Sequence, residues 1–157
     1  HVLGQQGLAY ADTADFDPGL TWGEALLNPT RIYVKSCLAL HKAGLAKAFA
    51  HITGGGLTEN VPRILPDGMA ATFDPKSWSL PAIFPWLITT GGVSPEEMAR
   101  TFNCGIGMAI VVPADDAVAA ADLLSANGED VFRIGEIIPQ ADGEQVLLPG
   151  LDSAWRA

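Results

Sequence analysis

Three consecutive glycines, Gly54, Gly55 and Gly56, constrain this chain more than any other feature. They follow Ala48, Phe49, Ala50, His51 and Ile52, a mostly apolar run that reads as a strand. Leu57 to Leu65 places Val61, Ile64 and Leu65 inward at helical spacing, with Glu59, Asn60 and Arg63 on other faces. Glycine has no Cβ, so its backbone can take positive φ or lie directly against a ligand. A helix start adds free N–H groups and a positive dipole end. Strand, glycine turn and helix N-terminus together suit an anion, and phosphate is the common biological one. The spacing is neither Gly-x-Gly-x-x-Gly nor a P-loop. A tight structural turn therefore stands beside the phosphate reading. Pro62 is tolerated only near a helix start, so the regular helix is expected from about Asn60 or Val61.

The remaining elements are punctuated by clear signals. Ala9 to Gly19, with Asp12, Asp15 and Asp17, reads as a surface loop, because the carboxylates lack an EF-hand's glycine and closing Glu. Thr21 with Glu24 forms a capping box for a helix to Leu27. Arg31 to Val34 reads as β-rich and leads into a helix from Lys35 to Lys42. Met69 to Phe73 is a strand, and Pro81 to Thr90 a helix whose apolar residues nearly encircle it. Ser94, Pro95 and Glu97 announce another helix with a capping box. Gly105 to Val112 and Val131 to Ile138 read as strands, separated by a helix from Asp115 or Asp116 to Ala126. Gln145 to Leu148 reads as an edge strand.

This order predicts an α+β domain. A central mixed sheet carries helices on its faces in α/β/α layers, with a partly ferredoxin-like, split βαβ arrangement. The 157 residues fit a single domain, 1–157, with a loop-rich lead-in over 1–19 and a mobile tail over 150–157. The net charge of −9 argues against nucleic acid or an anionic membrane as partner. A phosphate would have to be held by local donors against that mean field. No apolar run approaches the ~20 residues of a membrane span. Cys37 and Cys104 read as buried reduced thiols, which points to a cytoplasmic location.

Candidate chemistry gathers around the glycines. His51 can donate to a phosphate or move a proton, or be a strand histidine with backbone partners. Thr53 offers a hydroxyl to the same anion, or caps the turn. Arg63 suits a charge-assisted bond to phosphate or a surface ion pair. Glu59 and Asn60 can orient a substrate amide or act as caps. Asn103 is a donor or a turn residue, and Gly105 with Gly107 leaves one strand face open to close approach. Arg100 and Lys35 share the same ambiguity. No Cys/His metal spacing is present, and no metal-binding residues are assigned.

Several uncommon words carry a resemblance. HITGGGLTENVPRILP, from His51 to Pro66, resembles the glycine-rich signature of the phosphoribosylformylglycinamidine cyclo-ligase (AIR synthetase) family. PTRIYVK (Pro29 to Lys35), RTFNCGIGM (Arg100 to Met108) and NGEDVFRIGEI (Asn127 to Ile137) stand in the same order as in that family. The resemblance covers the chain from about Leu20 to Ile137 and implies its C-terminal domain, with α/β/α layering. It implies ATP-dependent closure of the imidazole ring of aminoimidazole ribonucleotide in purine biosynthesis. ATP and Mg²⁺ would be handled mainly by an N-terminal domain, which also forms much of a homodimer. That half is expected to be absent here, leaving this chain inactive alone.

By the same resemblance Thr53, Gly54, Gly55, Gly56, Glu59, Asn60 and Arg63 form the loop for a phosphorylated small-molecule substrate. Asn103 and Gly105 form a second wall, and His51 is the catalytic candidate. Two other readings are a non-catalytic phosphate-ligand module and a sister ATP-using enzyme such as selenophosphate synthetase or thiamine-phosphate kinase.

Overall fold

The computed structural model describes residues 1–141 and 143–156. The chain opens with a short helix, α1 (Val2–Gln5), and a hairpin of β1 (Thr13–Ala14) with β2 (Asp17–Thr21). This lead-in is thus partly ordered where a loop was expected. Its three aspartates each hold a different donor. Asp12 accepts the Ala9 N–H at 2.7 Å, and Asp17 accepts the Gly19 N–H at 2.9 Å. Asp15 accepts the Trp86 indole N–H at 2.9 Å. Helix α2 (Trp22–Leu26) starts at the expected box: the Thr21 hydroxyl accepts the Glu24 N–H and the Glu24 carboxylate accepts the Thr21 N–H. Trp22 is buried and lies 4.4 Å, centroid to centroid, from Trp86. These rings anchor a small cluster that also holds Ala14, Val2 and Phe16.

Residues 31–33 form no strand, and Val34 opens α3 (Val34–Lys42). Pairing partners decide strand formation, and β-branched composition alone supplies none. Next come β3 (Ala48–His51), α4 (Gly56–Asn60), a 3₁₀ turn (Pro62–Ile64) and β4 (Met69–Phe73). Helix α4 therefore begins at Gly56, earlier than the proline implied, and Pro62 starts the tighter turn that follows. Then follow α5 (Ile83–Thr89), α6 (Pro95–Thr101), β5 (Met108–Val111), α7 (Ala117–Ala126), β6 (Gly135–Pro139), β7 (Val146–Leu147) and α8 (Leu151–Trp155). In α5 only Trp86 is buried; the other apolar residues are partly exposed. Ser94 caps α6 by accepting the Glu97 N–H, but the Glu97 carboxylate turns to Arg100 and Thr101 and leaves the box open.

The α+β class stands, with the sheet divided. Strands β3 and β5 pair antiparallel as a ribbon, with Ala50 opposite Ala109 and His51 opposite Met108. A mixed three-stranded sheet runs β6-β4-β7, antiparallel on one side of β4 and parallel on the other. The main core lies between them: Ala50 and Ala109 from the ribbon, Ala71, Phe73 and Val146 from the sheet, and Leu57, Met98 and Ala99 from α4 and α6. Alternation sends Phe49 and Ile110 to the ribbon's other face, where they pack with Leu40 of α3 and Ala120 and Leu124 of α7. The C-terminal segment is not a free tail through residue 156. Leu151 and Trp155 of α8 are buried in the main core. Ala157 lies outside the described residues.

Candidate functional site

The glycine loop leaves β3 at Ile52, whose N–H is held by the Gly107 carbonyl at 2.9 Å. Gly55 (φ +99°) and Gly56 (φ +56°) are both left-handed. Gly56 has a second reason to be glycine: a Cβ there would lie 1.8 Å from the Ala99 carbonyl oxygen of α6. Gly54 differs, since a Cβ on it would meet nothing within 4 Å. The N–H groups of Thr53, Gly54 and Gly55 find no backbone acceptor among the described residues. Thr53 and Gly54 are exposed and Gly55 half-buried, so this face of the loop is open to a ligand.

Asn60 is 5% exposed and is turned to the inside of the loop. Its Nδ2 lies 2.8 Å from the Gly56 carbonyl, 3.2 Å from that of Gly54 and 3.5 Å from that of Thr53. Glu59 is exposed, and its carboxylate reaches back along Gly55: a Cβ there would be 2.8 Å from Glu59 Oε2. Arg63 is exposed in the 3₁₀ turn and makes no ion pair with another described residue.

His51 sits beside the loop in sequence but on the α3 face of the ribbon, its ring 6.0 Å from that of Tyr33. Its side chain is exposed. Asn103 forms a turn, its Oδ1 accepting the Gly105 N–H at 3.0 Å. That turn holds Cys104 at φ +49°. Cys104 is buried and its carbonyl accepts the Trp78 indole N–H at 2.9 Å; burial pushes its thiol up to about 12. Gly105 packs against Pro81. Thus Thr53 to Gly56, Glu59 and Asn60 are brought together. The structure leaves His51 and Arg63 at the margins and places Gly105 in a neighbouring cleft.

That cleft, of about 740 Å³, runs between the open edges of β5 and β6. Ala117, Ala120 and Leu124 of α7 line it on one side, and Val61, Ile64 and Phe73 on the core side. Its polar rim contains residues that sequence reasoning did not select. Arg31 Nε pairs with Glu129 Oε2 at 2.6 Å, while Arg31 also donates to the Gly128 carbonyl and Ser36 to Glu129. Tyr33 is half-buried there, and burial with the nearby Glu129 charge raises its phenol above the usual range. Cys37, a half-buried free thiol on the same wall, is raised by burial and then by Glu129. The words PTRIYVK and NGEDVFRIGEI held the two sides of this rim, but nothing in either showed that they meet, because they lie far apart along the chain.

Among the described residues no group of three or more His, Cys, Asp or Glu side chains could hold a metal ion. Nor is any described helix long and apolar enough to cross a membrane.

Comparison with known proteins adds a family to this geometry. A phosphoribosylformylglycinamidine cyclo-ligase of Neisseria meningitidis serogroup C / serotype 2a is 52% identical over 132 residues, which is 84% of this chain and 38% of the relative. The protein of the same name from serogroup B matches with the same identity and coverage. The chain thus spans about two fifths of the length of these curated relatives. Among solved structures, thiamine-monophosphate kinase from Stenotrophomonas maltophilia aligns with a TM-score of 0.62. The alignment covers 94% of this chain and 45% of that one. At 23% identity it shows a shared fold and nothing finer. Residues 3–147 match the family model described as AIR synthase related protein, C-terminal domain, and the chain belongs to that family.

Proposed function

We propose that this chain is the C-terminal, substrate-side part of a phosphoribosylformylglycinamidine cyclo-ligase. The reaction is ATP-dependent closure of formylglycinamidine ribonucleotide to aminoimidazole ribonucleotide, in the cytoplasm. The observation that carries this reading is the 52% identity, over 132 residues, to relatives bearing that name. The glycine loop supports it, because its outer face presents unpaired N–H groups suited to a ribose phosphate. Thr53, Gly54, Gly55 and Gly56 would cradle that phosphate, with Arg63 supplying positive charge from the margin. Glu59, which would repel a phosphate, is suited to accept an N–H from the substrate's amide or amidine portion. Asn103 and Gly105 belong to the adjoining wall.

The family implies ATP and Mg²⁺. ATP would supply the activation that turns the formyl amide oxygen into a leaving group. By the family resemblance both would be held mainly by an N-terminal domain of the same polypeptide. This chain's residues would bind and orient the substrate and exclude water from it. His51 is the candidate for moving a proton, which requires its ring to turn from Tyr33 toward the loop. Homodimerisation would come through the N-terminal domain.

The test is a cyclisation assay with formylglycinamidine ribonucleotide, ATP and Mg²⁺, run with this chain alone, with its separately expressed N-terminal part, and with the full-length polypeptide. ADP and the aminoimidazole product are followed. Product only when both parts are present is the expected result. A full-length polypeptide that makes none rules the reading out, leaving a sister ATP-using enzyme or a phosphate-ligand module.

A further inference from the structure

We infer that Asn60 is a positioning residue that turns the glycine loop into an anion cradle. The inference rests on the phosphate reading of that loop. A peptide unit is planar and, in the trans form found throughout the described chain, its C=O and N–H point in opposite directions. Whatever draws a carbonyl inward therefore turns the N–H of the next residue outward. The Asn60 amide nitrogen gathers the Thr53 and Gly54 carbonyls at 3.5 and 3.2 Å, together with that of Gly56 at 2.8 Å. The Thr53 carbonyl is further held by the Gly56 N–H at 3.0 Å. The peptide units 53–54 and 54–55 thereby direct the Gly54 and Gly55 N–H groups away from Asn60, and neither finds a backbone acceptor.

The side chain is well placed to act as this brace. Asn60 ends α4 one turn after Gly56, so its side chain returns to the loop that starts the helix. It is 5% exposed, in a place where an isosteric Leu would leave the Gly54 carbonyl without a donor and take the side-chain donor from those of Thr53 and Gly56. An Asp would set a carboxylate against the same carbonyls. Asn60 thus acts through the backbone it holds, without touching the ligand.

The test uses this chain labelled with ¹⁵N and titrated with ribose 5-phosphate, following the Gly54 and Gly55 amide signals. Wild type should show saturable shifts at both. N60A should weaken binding about tenfold or more at a temperature where its melt shows it folded. N60D should be as weak near neutral pH and recover relative to wild type as the pH falls, because a protonated carboxyl can donate one of the lost bonds. A merely structural role would not give that pH profile.

If folded N60A binds within about twofold of wild type, the inference is overturned while the phosphate reading stands. If wild type shows no saturable shift, the phosphate reading fails and takes the inference with it. Should neither variant fold, the wild-type Asn60 side-chain amide protons decide. Slow exchange with solvent supports the brace, and exchange as fast as a free amide overturns it.

Discussion

The Tyr33 phenol covers Gly107: a Cβ built on Gly107 would lie 1.9 Å from the Tyr33 hydroxyl oxygen and 2.8 Å from its Cζ. This pair joins the start of α3 to the strand that carries the cleft, and it holds the Tyr33 ring beside His51. Gly107→Ala should therefore swing the ring outward, at about 1–2 kcal/mol of stability. The Tyr33 phenol is raised by burial first and the Glu129 charge second, so exposure should lower it toward the usual value. The only other tyrosine, Tyr10, is exposed, so a spectroscopic titration can separate the two. An unchanged high-pH step in G107A would show that the ring has not moved.

Gly54 and Gly56 should respond in opposite ways to the same methyl group. In Gly56→Ala the Cβ would strike the Ala99 carbonyl oxygen at 1.8 Å, with φ at +56°. Both the strain and the displaced α6 backbone destabilise, and a loss of about 3 kcal/mol or more is expected. Gly54→Ala meets nothing within 4 Å and should change stability by less than about 1 kcal/mol. It does place a methyl group on the open side of the loop, so substrate affinity should fall while the melt stays put. Denaturant unfolding of both variants, and ligand titration of G54A, check the contrast.

How much of this was legible follows a physical division. Local signals were reliable where the partner is three or four residues away. The Thr21–Glu24 box and the Ser94 cap both form, because each needs only its own helix start. The glycine turn was also visible, since positive φ selects glycine whatever surrounds it. The rim of the cleft was not, because Arg31 reaches a carbonyl 97 residues away at Gly128. Composition likewise could not show that β5 and β6 stand apart, which leaves the sheet in pieces. Asn60 was visible as a candidate but its role was not, because a buried brace and an exposed ligand donor have the same letter.

Alkaline stability should be limited by Cys104. Its thiol is raised from 9.0 to about 12 by burial alone. A group raised in the folded state gives its full stabilisation below the unfolded value and loses it as pH rises through the folded one. Between about pH 9 and pH 12 the unfolded chain releases a proton that the folded chain keeps. Stability should then fall by up to about 1.4 kcal/mol per pH unit from this group. Tyr33, also raised, adds a loss with the same sign above its unfolded value of 10.0. C104A should flatten the slope between about pH 9 and pH 10, and an equally steep slope there would remove Cys104 as the cause.

The C-terminal helix should be needed for the fold. Trp155 is 6% exposed, its ring 5.9 Å from that of Trp78 in an edge-to-face arrangement. Its indole N–H donates to the Pro75 carbonyl at 3.1 Å. Leu151 sits one turn earlier in the same core, so a five-residue helix that would be unstable alone is fixed by packing. Trp155→Ala removes both the ring and the bond to Pro75, and a loss of about 3–5 kcal/mol is expected. Trp78 would then lie open, with its own indole still tied to the Cys104 carbonyl just before Gly105. The loss should therefore extend to the 103–105 turn and appear as faster amide exchange at Gly105 and Ile106. A W155A variant that melts like wild type, with those amides unchanged, would show α8 to be dispensable.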